Sequence, residues 1–222
     1  MTTDQLEIMP YGDGAILVSL GTRIDPTLNA RVYQLEAWLN KEKPGGVIEF
    51  IPAYCSLVVI YDPLVSGCHA VLDWLRLSVA ICPWDLAQQP RLVEVPVVYG
   101  GVDGIDLQTV ANINHLTPEE VINLHSRAEY TVAMMGFMPG FVYLSGMDER
   151  LATPRLASPR VRIKPGSVGI AGSQTGIYSI ASPGGWQIIG RTPLVLFDPN
   201  REAPFLFSPG DRVRFVPAGD AA

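Results

Sequence analysis

Five cations, Arg150, Arg155, Arg160, Arg162 and Lys164, fall within fifteen residues that contain no acid, interleaved with Pro154, Pro159 and Pro165. The prolines hold this segment stiff and extended. Guanidinium groups in such a run suit bidentate pairing with phosphate or carboxylate, so the functional reading is a site for an anionic ligand. The bland alternative is a solvated loop whose cations pair with acids of another domain, and that alternative is favoured for Arg150 and Arg155. Directly downstream, Gly166 to Gly176 (GSVGIAGSQTG) spaces its glycines at intervals of three, three and four. Gly-rich turns let backbone amides approach an anion. The run matches neither GxxxxGK[ST] nor GxGxxG, so two hairpin turns account for it better than a phosphate loop. Gln174, Thr175, Tyr178 and Ser182 add polar groups able to orient a small amide or acid. Arg191, flanked by Ile189 and Pro193, needs either an internal partner or a ligand. Trp186 reads more readily as a core aromatic than as a pocket wall.

His125 lies on a helical face that also carries apolar residues, where a hydrogen-bonded core histidine is a better account than a ligand. His69 and His115 have no neighbouring Cys, Asp or Glu in a ligating arrangement, so no metal site is expected. Cys55, Cys68 and Cys82 are odd in number and widely spaced, and read as three reduced, buried thiols. No Ser-His-Asp order, nucleophile elbow or paired-carboxylate motif can be assembled.

Elements able to position these residues follow from periodicity. In the first part of the chain, Gly14 to Leu20 reads as a strand. Asp25 is a candidate N-cap for a helix with Pro26 at its first position and Leu28, Val32, Leu35 and Leu39 along one stripe. Val47 to Ile51 and Leu57 to Tyr61 are further strands. Ser66 is expected to cap a second helix with Val71, Leu72, Leu75 and Val79 on one face, and Leu92 to Tyr99 is again strand-like. The order is β-α-β-β-α-β, the ferredoxin-like pattern, with the last strand also able to open a second domain. Next come a short helix at Leu107 to Asn114 and a well-marked one behind Thr117, Pro118 and Glu120, a capping box, with Val121, Leu124, His125 and Ala128 as its apolar face. From Thr131 onward short apolar runs are cut every 8 to 12 residues by Gly and Pro, as in a sandwich or closed barrel. The expected class is therefore α+β in two domains: residues 1–90, ferredoxin-like, and residues 91–222, a β-barrel with a helical insertion near 106–129.

Composition agrees. Of 222 residues, 21 are Gly and 19 are Pro, well above average usage of about 12%, and ten of the glycines lie between Gly136 and Gly190. The net charge is −6, which gives no global attraction to nucleic acid or to an anionic membrane. No stretch approaches the roughly 18 apolar residues of a membrane span, and the N-terminus has no basic region followed by an apolar run, so a cytoplasmic location is expected.

Three strings then carry a resemblance: YGDGAILVSLG (11–21), GFMPGFVYL (136–144) and LATPRLASPRVRIKPGSVGIAGSQTGIYSIASPGGWQIIGRTPLVLFDP (151–199). They resemble the allophanate hydrolase subunit 1 family, which takes in 5-oxoprolinase subunits and KipI-type inhibitors of sporulation kinases. The resemblance implies a small N-terminal α/β domain and a C-terminal cyclophilin-like barrel. It implies a B subunit that acts with an A subunit and with a C subunit of homologous fold. Together these open the lactam 5-oxoproline to glutamate at the expense of ATP, with the chain inactive or nearly so alone. The other branch implies a protein that docks on a histidine kinase without catalysis. Prolyl isomerisation, by fold analogy alone, is a poor third. Carried over, the motif marks Arg160, Lys164, Gln174, Tyr178, Ser182 and Arg191 as facing a shared site, Arg160 and Arg191 for phosphate or carboxylate and Gln174 and Tyr178 for the lactam. Val142 departs from the proline expected at its place in the GF-PGF-YL string, which puts the rigidity of that loop in question.

Overall fold

The computed structural model describes residues 6–84 and 90–219. Contacts divide the chain into two compact units, Met1–Gln89 and Pro90–Ala222.

In the first unit, Asp25 accepts hydrogen bonds from the backbone N–H of Thr27 and Leu28, and Pro26 opens α1 (Pro26–Leu39). Its stripe buries Val32, Leu35 and Leu39, and the buried Asn29 ties the start of the helix to the carbonyls of Ala53 and Tyr54. The second helix, α2 (Cys68–Ala80), buries Val71, Leu72, Leu75 and Val79 as expected. Its N-cap is Gly67, with no side-chain cap: the Ser66 hydroxyl donates instead to the carbonyl of Gly45, tying the turn after α1. Four strands, β1 (Glu7–Pro10), β2 (Ala15–Ser19), β3 (Val47–Pro52) and β4 (Ser56–Tyr61), form an antiparallel sheet in the order β1-β2-β4-β3. Ile16, Val18, Leu57, Val59 and Tyr61 meet the helix stripes in one core. β2 and β3 run parallel on either side of β4, joined by α1, which is a split βαβ unit. The sixth element expected of a ferredoxin-like pattern is not in this sheet. Its residues, Leu92–Tyr99, form β5 of the second unit, and the place beside β2 is taken by β1. A four-residue link makes that pairing local, which keeps the closure entropy small.

In the second unit, β5, β6 (Glu129–Met135), β7 (Val142–Ser145), β9 (Ser167–Ala171), β10 (Gln174–Ile177), β12 (Gln187–Arg191) and β13 (Arg212–Pro217) close into a barrel in the order β10-β7-β6-β13-β5-β12-β9. The first and last of these, β5 and β13, pair in parallel and every other pairing is antiparallel. The barrel fits a cyclophilin-like fold. α3 (Leu107–Ile113) and α4 (Pro118–Arg127) are inserted between β5 and β6 and pack on β12 and β13. Thr117 and Glu120 form the expected capping box. Val95, Val97, Val132, Leu144, Ile170 and Val213 fill the interior. A separate ribbon of β8 (Arg160–Ile163) and β11 (Ser182–Gly184) is joined to a second apolar cluster of Phe141, Ile163, Tyr178, Trp186 and Ile188. Val142 sits fully buried in β7 between β6 and β10. A proline there would lack the N–H that a strand paired on both sides needs, so valine suits this position and the loop ends before it.

Candidate functional site

The cation-bearing ribbon β8 runs into a tight turn, Lys164 to Gly166, before β9. Gly166 takes φ +81 and donates its N–H to the carbonyl of Tyr178 at 2.7 Å, while its own carbonyl accepts from Thr192 N–H at 2.9 Å. A Cβ at this position would run into the Thr192 carbonyl, so only glycine lets the turn lie flat against the end of β12. Facing it is the loop from Gly100 to Asp106, whose ends are fixed to β12: Gly100 N–H donates to Ile189 O and Asp106 N–H to Ile188 O.

These two segments bring opposite charges together. Arg160 donates from both terminal nitrogens to Asp106, at 2.8 and 2.6 Å, and Asp106 also accepts from Ile188 N–H at 2.7 Å. Charge-assisted bidentate pairs of this geometry are among the strong ones. One oxygen of Asp103 lies 3.9 Å from Lys164 Nζ and 3.6 Å from Arg191 Nη1. The Arg191 Nε–H is spent on the carbonyl of Pro165 at 2.9 Å. Arg162 is exposed and enters no ion pair among the described residues. Arg160, Arg162, Lys164, Asp103, Ser167 and Ile188 line a notch of about 120 Å³. With Arg191 alongside, four cations stand against two carboxylates. The acids that answer the cation run are thus within its own unit, and they were missed in the sequence because they lie more than fifty residues upstream in a Gly-rich loop. Two acids three apart among glycines, in GGVDGID, were the available signal.

The other candidates lie elsewhere. Ser182 pairs with Ile163 across the ribbon, and its hydroxyl donates to Pro183 O. The Tyr178 ring is buried against Phe141 and Trp186, and burial pushes its hydroxyl up to about 12. Gln174 begins β10 at the tip of the β9–β10 hairpin, opposite Ala171. None of the three lines the notch. Trp186 is core, with the Arg155 guanidinium 5.9 Å over its ring, and Arg150 pairs with Asp148 at 2.6 Å.

His125 is fully buried in the barrel, stacked on Phe215. Thr175 donates its hydroxyl to Gly169 O, so it must accept from His125 Nε2–H at 3.0 Å, which leaves Nδ1 to accept from the Tyr99 hydroxyl at 2.8 Å. That network fixes one tautomer, and burial holds the imidazole neutral by lowering its pKa to about 3.

A second concavity, about 580 Å³, is apolar. Met135, Phe137, Met138, Pro139, Phe205 and Pro209 are among its walls, and it has no charged side chain. Phe137 stands at φ +69 with 65% of its surface exposed, an uncommon backbone state for an aromatic residue. Among the described residues no group of His, Cys, Asp and Glu is placed to hold a metal, and no helix is long and apolar enough to cross a membrane.

Residues 6–207 match the family described as carboxyltransferase domain, subdomain C and D, and the chain belongs to that family. It is 45% identical to the B subunit of 5-oxoprolinase from Bacillus subtilis (strain 168), over 96% of this chain and 93% of that one. To the protein of the same name from Escherichia coli O157:H7 it is 42% identical, over 93% of each. These are the relatives anticipated by the motif strings. Among solved structures, the crystal structure of TTHA0988 superposes with a TM-score of 0.81 at 38% identity, over 92% of this chain and 40% of that one. The present chain therefore spans less than half of TTHA0988.

Proposed function

We propose that this chain is the B subunit of a multi-subunit, ATP-dependent 5-oxoprolinase that opens 5-oxo-L-proline to L-glutamate together with the A and C subunits. The observation that carries the reading is the end-to-end match, at 45 and 42% identity, to relatives bearing that name. What the geometry adds is a role for the basic notch. An unactivated lactam is a poor electrophile, and transfer of a phosphoryl group to its amide oxygen makes a better one. Cations held at a fixed distance stabilise the charge that such a transfer moves. Arg191, Lys164 and Arg162 supply those cations, and Arg160 is locked by Asp106 as the wall behind them. A contribution shared with the A and C subunits accounts for a chain that is inactive or nearly so by itself.

The test is co-expression of the three subunits, with 5-oxoproline loss followed in the presence of ATP. Turnover is expected from the wild-type complex, with a fall of about a hundredfold or more for Arg191→Ala, the scale of removing one charge-stabilising donor, and a fall also for Arg160→Ala, which leaves the buried Asp106 without its cation. Unchanged turnover in both variants refutes the notch as part of the site, and no turnover in the wild-type complex refutes the function. A second reading, docking on a histidine kinase, draws on the apolar concavity with its exposed Phe137 and Phe205. Inhibition of kinase autophosphorylation by the chain alone would favour that reading.

A further inference from the structure

We propose that Asp103 is a resident counter-ion of the notch, standing where a ligand's oxyanion stands, and that the notch therefore takes a doubly charged phosphoryl group and rejects a lone carboxylate. The inference rests on the reading of the notch as an anion site and decides which anion.

The two carboxylates at the notch are built differently. The Asp106 side chain is 8% exposed and holds three hydrogen bonds of 2.6 to 2.8 Å, so it is structural. The Asp103 side chain is 24% exposed and makes no side-chain hydrogen bond among the described residues. A single oxygen sits between Lys164 Nζ and Arg191 Nη1 at 3.9 and 3.6 Å, within ion-pair range and beyond hydrogen-bond length. Partly exposed pairs of this kind contribute little to stability. The loop around it is anchored without it: Gly104 N–H donates to Gly100 O at 2.7 Å, and the β12 bonds of Gly100 and Asp106 hold both ends. Rotation of the Asp103 side chain alone withdraws its charge, with no change in the backbone.

Competition with this tethered carboxylate sets the selectivity. A free monocarboxylate offers Lys164 and Arg191 the same charge and the same acceptor chemistry that Asp103 already offers. It gains nothing over a group whose tether gives it a high effective concentration. A phosphoryl group brings close to two negative charges at neutral pH and three terminal oxygens. It engages Lys164, Arg191 and the unpaired Arg162 at once. With Asp106 neutralising Arg160 and Asp103 turned aside, a phosphoryl group meets those three cations with two charges, where a carboxylate brings one. The volume also discriminates: about 120 Å³ is well below the 300 Å³ or more of a site that swallows a drug-sized ligand. The notch admits one oxoanion and leaves any base and ribose outside.

Free phosphate and the terminal phosphoryl group of a nucleotide share this chemistry, and the experiment separates them. The full chain is titrated calorimetrically with inorganic phosphate, with AMP-PNP and with acetate, as wild type, Asp103→Asn and Arg162→Ala. Wild type is expected to bind phosphate and to show no binding of acetate at equal concentration. Asp103→Asn, isosteric and free of lost hydrogen bonds, binds phosphate about tenfold tighter, and Arg162→Ala about tenfold weaker. AMP-PNP binding tighter than phosphate assigns the nucleotide as the source, and equal binding assigns free phosphate. Unchanged or weaker phosphate binding in Asp103→Asn, acetate binding equal to phosphate, or no phosphate binding in either protein overturns the proposal. The proposed function fails on a different result. The predicted anion pattern with no turnover of 5-oxoproline by the wild-type complex refutes the function and spares Asp103, whereas turnover by the wild-type complex with no effect of Asp103→Asn on phosphate does the reverse.

Discussion

Burial decides what each titratable side chain of this protein can do. Asp106 is fixed and spent on Arg160, Asp103 is loosely held and available, and His125 is sealed in the barrel where only its neutral form is tolerated. The last has a pH consequence. The folded pKa of His125 lies near 3 and the unfolded value near 6.5, so between those values the unfolded chain carries the extra proton. Its contribution to stability is complete above pH 6.5 and is lost as the pH falls from 6.5 toward 3, at about 1.4 kcal/mol per pH unit. Replacing it with a side chain that cannot titrate removes that slope. In denaturant unfolding between pH 7 and pH 4.5, the stability gap between wild type and His125→Gln should shrink by about that amount per unit. His69 and His115 are common to both proteins and cancel. A gap that stays constant with pH would show that His125 takes up its proton in the folded barrel as readily as in the unfolded chain.

Positive-φ glycines turn the cation ribbon into the barrel, and they are not equivalent. Gly166 (φ +81) would drive a Cβ into the Thr192 carbonyl, whereas Gly172 (φ +58), at the next hairpin tip, has open space around it. Both alanine variants carry the cost of a left-handed conformation, about 1 kcal/mol, but only Gly166→Ala adds a backbone clash beside Lys164 and Arg191. In thermal denaturation Gly166→Ala should cost about 2 kcal/mol more than Gly172→Ala, and it alone should weaken phosphate binding. Equal costs would mean that the turn relaxes freely. Turns at Gly166 and Gly172 are legible in the spacing of GSVGIAGSQTG, but only the second is the expected hairpin, β9–β10, since β8 pairs with β11 and not with β9. The Thr117 capping box and the stripes of α1 and α2 are legible as well, because each depends on residues close in sequence. Pairing is what the sequence leaves open. Alternation marks Leu92–Tyr99 as a strand without saying that its neighbours are β12 and β13, and nothing in the short segment Glu7–Pro10 announces an edge strand. The notch was half legible for the same reason: its cations form one run, while their carboxylates arrive from a loop more than fifty residues earlier. Tyr178 is the converse case, a polar side chain inside the right motif whose ring is packed in an aromatic cluster and whose hydroxyl meets the backbone at Gly184 and Trp186 instead of the notch.

On the scale of the whole molecule, charge and core are both divided. The first 90 residues hold 5 Lys and Arg against 10 Asp and Glu, and the remainder 11 against 12. With a screening length of about 8 Å at physiological salt, an anion at the notch responds to the four cations and two acids beside it and very little to the net charge of −6. The cores follow the same division, with Ile16, Leu35, Leu57 and Leu75 in that of the first unit and Val97, Val132, Ile170 and Phe215 in that of the second. Every residue of the notch belongs to the second unit. Emptying a core position of the first should then lower stability without touching anion affinity. Leu57 has no exposed surface, and Leu57→Ala at such a site costs about 2 to 5 kcal/mol. Thermal denaturation should show that loss, while phosphate titration well below the transition should give an affinity within about twofold of wild type. A Leu57→Ala protein that is folded yet no longer binds phosphate would mean that the first unit takes part in forming the notch, and the site would then have to be redrawn to include it.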